Sequence, residues 1–235
     1  MRLLSIVRSM LVLSAATLGM ACSSSEDAAN APPTGADASG DGDAVRAAGE
    51  RFITSVVSFT PGACAGFGQT KMPGIVQGPP KGAGNLQGSL DVVSLGYHGE
   101  IVVSFGSNAI VDGPGADFIV FENVFDISGD PQRPYAEPAE VSVSDDGTNW
   151  TTFPCTATSY PYGACAGWHP IYSAPGNGIS PTDPNTAGGD AFDLAAIGVT
   201  HARYVRIVDK MAATCSGSSA GFDLDAVSIV NAEVP

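Results

Sequence analysis

Short apolar segments separated by turn residues run through the sequence from residue 51 to its end. Segments such as 100–105, 117–122 and 203–208 are six residues long, contain several Val, Ile and Phe residues, and lie close to Gly, Pro, Asp or Asn. The 29 Gly and 17 Pro residues supply the turns, and only 14% of the residues are charged, too few to cover the polar faces of a helical bundle. The pattern predicts an all-β fold, an antiparallel β-sandwich.

Turn residues also predict how some of these segments connect. Segments 90–95 and 100–105 are joined by a turn that contains Tyr97 and His98, and we expect them to form a hairpin. Segments 139–144 and 150–153 flank an Asp-Asp-Gly turn and predict a second hairpin. A single helical turn is expected at 193–197, ended by Gly198.

Two groups of motifs resemble known proteins. VSVSDDGTNW at 141–150, followed by ARYVRI at 202–207, resembles the strand-turn-strand and late core strand of discoidin-type, galactose-binding-like jelly rolls. A wider series between Phe67 and Val230, including IVDGPGADFIVFEN, EPAEVSVSDDG and GFDLDAV, resembles a family of uncharacterised bacterial cell-surface proteins that occur as lipoproteins or with C-terminal sorting signals. The resemblance implies a jelly roll at the cell surface and implies no particular activity.

The N-terminal residues have the features of an export signal. Residues 1–21 combine Arg2 and Arg8 with a short apolar stretch, too short for a spanning helix, and predict a signal peptide. The run LGMAC ending at Cys22 resembles a bacterial lipoprotein signal, although Gly19 stands where that family usually has leucine. Acylation of Cys22 would then anchor the protein to the membrane, at the outer membrane or cell surface of a bacterium. The alternative is ordinary cleavage near residue 21, which leaves Cys22 as a free thiol.

The remaining chain divides into a tether and a domain. Residues 22–50 contain mostly Ser, Ala, Gly, Asp and Pro, and cannot bury enough apolar surface to offset the entropy lost on ordering. We therefore predict a flexible tether at 22–50 and one β-sandwich domain at 51–235. With 24 acidic against 10 basic residues, a net charge of -14 would repel phosphate backbones and excludes a nucleic-acid partner.

Four of the five cysteines remain if Cys22 carries the lipid. An even number in an exported chain predicts two disulfides, for which three connectivities exist. Cys155 and Cys165 enclose a short polar loop that a bridge would hold, so we pair them and, by remainder, pair Cys64 with Cys215. A zinc site is disfavoured because no Cys-x2-Cys spacing is present and the histidines are scattered.

Acidic residues beside Gly-rich turns are candidates for a calcium site. Calcium takes six to eight oxygen ligands, and glycine lets backbone carbonyls approach closely. Similar jelly rolls often hold a structural calcium, which the resemblance permits. The alternative is that these carboxylates accept hydrogen bonds in turns. Candidate metal ligands are Asp112, Asp117, Glu122, Asp223 and Asp225, and Asp190 and Asp193 lie in similar surroundings.

The alternation of side chains along a strand separates these candidates. Glu122 falls on the face opposite Asp117, so the two carboxylates cannot share a site within the strand, although they could meet at the strand ends if the chain bends at Asn123. Asp223 and Asp225 lie two residues apart and are expected to point the same way, which favours joint ligation.

Aromatic residues near the predicted Cys155–Cys165 loop suggest a binding surface. Aromatic side chains on rigid loops stack on sugar rings or contact proteins. The alternative is a small apolar core beneath a long loop. The candidates for ligand contact are Tyr160, Tyr162, Trp168 and Tyr172.

Binding is therefore the expected function, with carbohydrate or extracellular matrix as the ligand and calcium in a structural role. We expect no enzyme: the spacing Gly-x-Ser-x-Gly occurs at 217–221, but without the strand before it and helix after it that a nucleophile elbow requires. Two alternatives remain, a polysaccharide hydrolase that uses paired carboxylates and a purely structural surface-layer protein.

Overall fold

The computed structural model describes residues 51–211 and 217–235. The predicted signal peptide, the tether, Cys22 and Cys215 lie outside these residues. Within the two described ranges, no helix has the length and apolar character needed to cross a bilayer.

Fourteen short strands form the described part of the chain. They are β1 (Ser55–Thr60), β2 (Val93–Ser94), β3 (Glu100–Ser104), β4 (Ala109–Val111), β5 (Phe118–Glu122), β6 (Phe125–Asp126), β7 (Pro134–Tyr135), β8 (Ala139–Ser144), β9 (Thr151–Thr152), β10 (Asp190–Phe192), β11 (His201–Ala202), β12 (Tyr204–Asp209), β13 (Asp223–Ile229) and β14 (Ala232–Glu233). Four single 3-10 turns connect them, at Gln69–Lys71, Gly74–Val76, Ile127–Gly129 and Leu194–Ile197. The predicted all-β fold is confirmed.

The strands pair antiparallel in four sheets. The larger two have the orders β1-β3-β12-β8-β9 and β10-β5-β13-β2, and the smaller two have the orders β11-β4-β14 and β6-β7. At the centre of the five-stranded sheet, β12 alternates between buried residues such as Val205 and Ile207 and half-buried ones such as Arg206. On that outer face the Arg206 guanidinium lies 4.7 Å from the ring centroid of Trp150, in cation–π contact.

The main core contains side chains from both large sheets. Ile101 and Val103 of β3 and Val205 and Ile207 of β12 are packed in one cluster with residues of the four-stranded sheet. Those residues include Phe118, Val120, Leu224, Val227 and Ile229. Apolar side chains from two antiparallel sheets thus fill one common interior, an arrangement consistent with the predicted β-sandwich.

The four-stranded sheet is covered on its other face as well. Ile119 and Phe121 of β5 pack with Ile171 and Ala187, which belong to the long segment before β10. Successive residues of β5 thus enter two different apolar clusters, as the expected alternation of side chains requires. Because both faces are covered, every residue of β5 is buried, including Glu122 at its end.

One predicted hairpin is confirmed and the other is wrong. Strands β8 and β9 pair across the turn after Ser144, with Val143 opposite Thr151. Segments 90–95 and 100–105 do not pair, because β2 pairs with β13 whereas β3 pairs with β1 and β12. The turn between them has positive φ at Gly96 (76°) and His98 (61°), and it takes the chain from one large sheet to the other instead of reversing it within one sheet.

Two local predictions agree with the structure. The helical turn is a 3-10 turn at Leu194–Ile197, which begins with Asp193 as its cap and ends at the left-handed Gly198. Cys155 and Cys165 form a disulfide. The predicted pairing of Cys64 with Cys215 involves a residue outside the described ranges.

Candidate functional site

Three buried carboxylates converge at one end of the four-stranded sheet. Glu122 is the last residue of β5 and Asp223 the first of β13, and these strands are neighbours with Glu122 opposite Leu224. Glu137 comes from the segment between β7 and β8, where its backbone N–H donates to the Gly167 carbonyl (3.1 Å). One carboxylate oxygen from each of the three residues lies within 4.8 Å of the others. We call Glu122, Glu137 and Asp223 the buried acidic cluster.

The acidic cluster is closed to solvent, and its hydrogen bonds are incomplete. The exposed fractions of Glu122, Glu137 and Asp223 are 1%, 7% and 6%. The Ser94 hydroxyl donates to Oδ1 of Asp223, and the Asp223 N–H donates to Oε1 of Glu122 at 3.3 Å. The second oxygen of Glu122, Oε2, is buried without a hydrogen-bond partner among the described residues. A buried oxygen without a donor costs free energy unless another group compensates it.

Burial and mutual repulsion act together on these acids. Burial raises the pKa of Glu122 well above its usual range, and the charges of Asp223 and Glu137 raise it further. Burial, followed by the charges of Asp223 and Asp209, raises the pKa of Glu137 to about 8. The pKa of Asp223 is also raised, chiefly by burial. The arrangement therefore favours either bound protons or a bound cation.

Asp209 lies beside the acidic cluster, but both of its carboxylate oxygens accept hydrogen bonds. It ends β12, and its two oxygens accept backbone N–H groups from His98, Met211 and Phe222 at 3.1 to 3.2 Å. Burial raises its pKa, whereas these hydrogen bonds lower it. Asp209 thus adds negative charge near Glu137 and Asp223 while its own oxygens are satisfied.

A second group of acids contains two aspartates, Asp117 and Asp193, whose carboxylates hold turns in place. Asp112, Asp117 and Asp193 also place carboxylate oxygens within 4.8 Å of one another. Asp117 accepts hydrogen bonds from the N–H groups of Gly113 (2.8 Å) and Leu194 (2.7 Å) and from Nδ2 of Asn231 (2.8 Å), and Asp193 caps the 3-10 turn through Ala195 N–H. These bonds match the alternative in which carboxylates stabilise turns.

Asp225 is separated from Asp223 by a β-bulge. The register between β13 and β5 shifts between Leu224 and Ala226, so the simple alternation expected for Asp223 and Asp225 does not hold. Both oxygens of Asp225 accept the backbone N–H of Lys81, at 3.0 and 3.1 Å, while Asp223 faces Ser94 and Glu122. The structure does not bring the two aspartates into one ligand group, and it keeps Asp117 apart from Glu122 as expected.

The predicted aromatic residues form a surface around Trp168. The Trp168 ring meets Tyr160 and Tyr162 edge-on, with centroids 5.8 and 6.4 Å apart, and its Nε1–H donates to the Cys165 carbonyl (2.9 Å). We call Tyr160, Tyr162 and Trp168 the aromatic surface. Tyr172 lies instead in the following segment, where Nδ2 of Asn177 donates to its carbonyl. The disulfide at Cys165 fixes the loop that carries the two tyrosines.

His169 continues this surface and is held by a buried acid. Its ring centroid lies 3.7 Å from that of Trp168, and its Nδ1 is 2.7 Å from Oδ1 of Asp190. Asp190 is 3% exposed, whereas the His169 side chain is 48% exposed. A cavity of about 310 Å³ adjoins them and is lined by Trp168, His169, Asp190 and Asp193, among others.

Sequence reasoning missed Glu137 and the contact of His169 with Asp190. Glu137 stands between Ala136 and Pro138, just before buried strand β8, and a carboxylate directly before an X-Pro entry into a core strand is the signal that could have indicated it. His169 and Asp190 are 21 residues apart, and no spacing rule connects them.

Comparison of this chain with family models, with curated proteins and with solved structures gave no match.

Proposed function

We propose that this chain is an exported, lipid-anchored binding module of the bacterial cell surface, and that it binds carbohydrate through the aromatic surface. Anchoring through Cys22 is supported by the signal-like sequence before that residue. The galactose-binding-like jelly roll is supported by the motif at 202–207, most of which forms β12 at the centre of the larger sheet.

The main support for the proposal is the fixed position of the Trp168 ring. Its ring is only partly buried, its indole N–H is satisfied internally, and two tyrosines flank it on a loop fixed by a disulfide. An aromatic face that is rigid before binding loses little entropy when a sugar ring stacks on it. The adjacent cavity contributes the His169 ring and the carboxylate of Asp193 as polar groups for sugar hydroxyls.

A glycan array with the full-length protein tests the proposal. We expect binding to a subset of glycans that Trp168→Ala reduces at least tenfold. Trp150→Ala is the matched control, because Trp150 is the other tryptophan of the chain and contacts Arg206 on a different sheet face. An array without bound glycans, or equal losses in both variants, would refute the proposal and leave a structural surface-layer role or binding to a matrix protein.

A polysaccharide hydrolase is the second candidate, supported by the half-buried carboxylate of Asp193 on the same cavity. Asp190 also lines this cavity, but it is 3% exposed and its oxygens are bound to His169, Gly167 and Trp168. The buried acidic cluster cannot serve this chemistry, because a glycosidic bond could not reach carboxylates that are at most 7% exposed. Hydrolysis would release reducing sugar from a polysaccharide panel, and Asp193→Asn would abolish the release.

A further inference from the structure

We propose that Glu122, Glu137 and Asp223 form a binding site for one divalent cation of the calcium type. This proposal does not depend on the proposed carbohydrate binding, and the buried acidic cluster shares no residue with the aromatic surface. It contains two of the residues that the sequence indicated as metal ligands, together with Glu137, which it did not.

The first argument is the donor set. All three side chains offer carboxylate oxygens, the ligands preferred by hard cations such as calcium and magnesium. Calcium–oxygen distances are about 2.3 to 2.6 Å, so two ligands on opposite sides of the ion lie about 4.6 to 5.2 Å apart. The three carboxylate oxygens lie within 4.8 Å of one another, which is compatible with one shared calcium ion.

The second argument is the unpartnered oxygen. Glu122 is 1% exposed, its Oε1 accepts the Asp223 N–H, and its Oε2 has no donor among the described residues. Oε2 is buried, so bulk solvent does not hydrate it, and Glu122 lies next to two other acids. A cation between the three residues would supply the missing interaction.

The third argument is the unbalanced charge. The groups whose charges act on Glu122 are Asp223 and Glu137, and those that act on Glu137 are Asp223 and Asp209, all of them acidic. Three buried carboxylates that face each other repel strongly in a medium of low dielectric constant. Asp209, whose oxygens are occupied by backbone N–H groups, adds to the negative potential without competing for the ion.

The position of the site indicates what the cation does. Glu122 and Asp223 belong to adjacent strands of the four-stranded sheet, and Glu137 lies one residue before Pro138, which leads into β8 of the five-stranded sheet. A shared ion would therefore connect the two sheets at one end of the core. Its role is structural, because the site has no exposed face for a substrate.

Calorimetric titration and thermal unfolding of the full chain test this proposal. After treatment with a chelator and its removal, we expect calcium chloride to bind with a stoichiometry of one and a Kd on the order of 10⁻³ M or tighter. At a calcium concentration a hundred times the Kd, the Tm should rise by about 5 to 10 °C.

Isosteric variants identify the ligands. Glu122→Gln and, separately, Glu137→Gln should weaken calcium binding at least tenfold, whereas Asp112→Asn, at an exposed acid of the other group, should leave it unchanged. Circular dichroism confirms that each variant is folded, and having two variants keeps the test decisive if one fails to fold. A wild-type Tm unaffected by calcium, magnesium or manganese would overturn the proposal and show that the acids share protons instead. Unchanged binding in both Gln variants would overturn it as well.

Discussion

Asp190 holds both His169 and the loop before it: Oδ1 lies 2.7 Å from Nδ1 of His169, and Oδ2 accepts the backbone N–H groups of Gly167 (2.6 Å) and Trp168 (3.2 Å). One buried carboxylate of β10 thus positions the residues that carry the indole and imidazole rings. The aromatic surface is consequently linked to the interior of the four-stranded sheet.

Removing this carboxylate should destabilise the fold. We expect Asp190→Ala to lower the free energy of unfolding by about 2 to 4 kcal/mol, because two backbone donors lose their acceptor in an environment that is 3% exposed. His169→Ala, which removes only the exposed partner, should cost less than about 1 kcal/mol. Urea denaturation of the three proteins measures both differences. Equal costs for the two variants would mean that the backbone contacts contribute nothing.

The disulfide between Cys155 and Cys165 should stabilise the domain and maintain the aromatic surface. The two cysteines are 10 residues apart, and closing a loop of that size is worth about 2 to 3 kcal/mol through the unfolded state. We expect the double variant Cys155→Ala/Cys165→Ala to lose about that amount in urea denaturation. Its tryptophan fluorescence should also shift to longer wavelength as Trp168 becomes more exposed. A double variant as stable as the wild type would show that the loop is held by its other contacts.

The fold could be predicted from the sequence where a local rule decides the structure. Phe118 to Phe121 alternate between two apolar clusters as residues of a strand must, and the Asp-Gly turn after β8 produces the expected hairpin. The connection through Gly96 and His98 could not be predicted. The connection has a length that suits a hairpin. However, β2 pairs with β13 and β3 pairs with β12, so the two flanking strands lie in different sheets.

The candidate sites could also be predicted only in part from the sequence. Glu122 and Asp223 were identifiable as acids at strand ends. A register shift at Asp225 breaks the expected alternation, and its carboxylate accepts the Lys81 N–H instead of joining Asp223. Bulges of this kind leave little trace in a single sequence. Glu137 joins the cluster through tertiary contacts of its backbone with Gly167. Contacts between residues distant in the chain depend on how the sheets pack, and the pattern of residues within a strand does not predict them.

Asp146 should make stability depend on pH in the acidic range. Its carboxylate accepts the N–H groups of Thr148 (2.8 Å) and Asn149 (2.7 Å), and these bonds hold the pKa of Asp146 below its usual value of 3.8. A group with a depressed folded pKa stabilises the protein above its unfolded pKa and loses that contribution as pH falls through the folded value.

Comparing Asp146→Ala with the wild type tests this dependence. The variant should have a lower Tm at pH 7, and the difference should shrink as pH falls below about 4, where the Asp146 carboxylate of the unfolded wild type takes up a proton while the folded one stays ionised. Thermal unfolding followed by circular dichroism at pH 7 and pH 3 measures it, with Asp112→Ala as the control at another exposed acid. A difference in Tm that stays constant with pH would show that the turn does not depend on the ionised carboxylate.

Phe118 should contribute more to stability than an exposed apolar residue on β1, the edge strand of the five-stranded sheet. Its ring is fully buried, stacks on Phe192 with centroids 5.1 Å apart, and meets Phe153 edge-on at 5.9 Å. Since Phe118 belongs to the four-stranded sheet and Phe153 directly follows β9 of the five-stranded sheet, truncation leaves a cavity between the sheets. Phe118→Ala should therefore cost about 3 to 5 kcal/mol in urea denaturation, against less than about 0.5 kcal/mol for Val57→Ala, which is 53% exposed in β1. Comparable losses would mean that this aromatic cluster does not join the two sheets into one cooperative core.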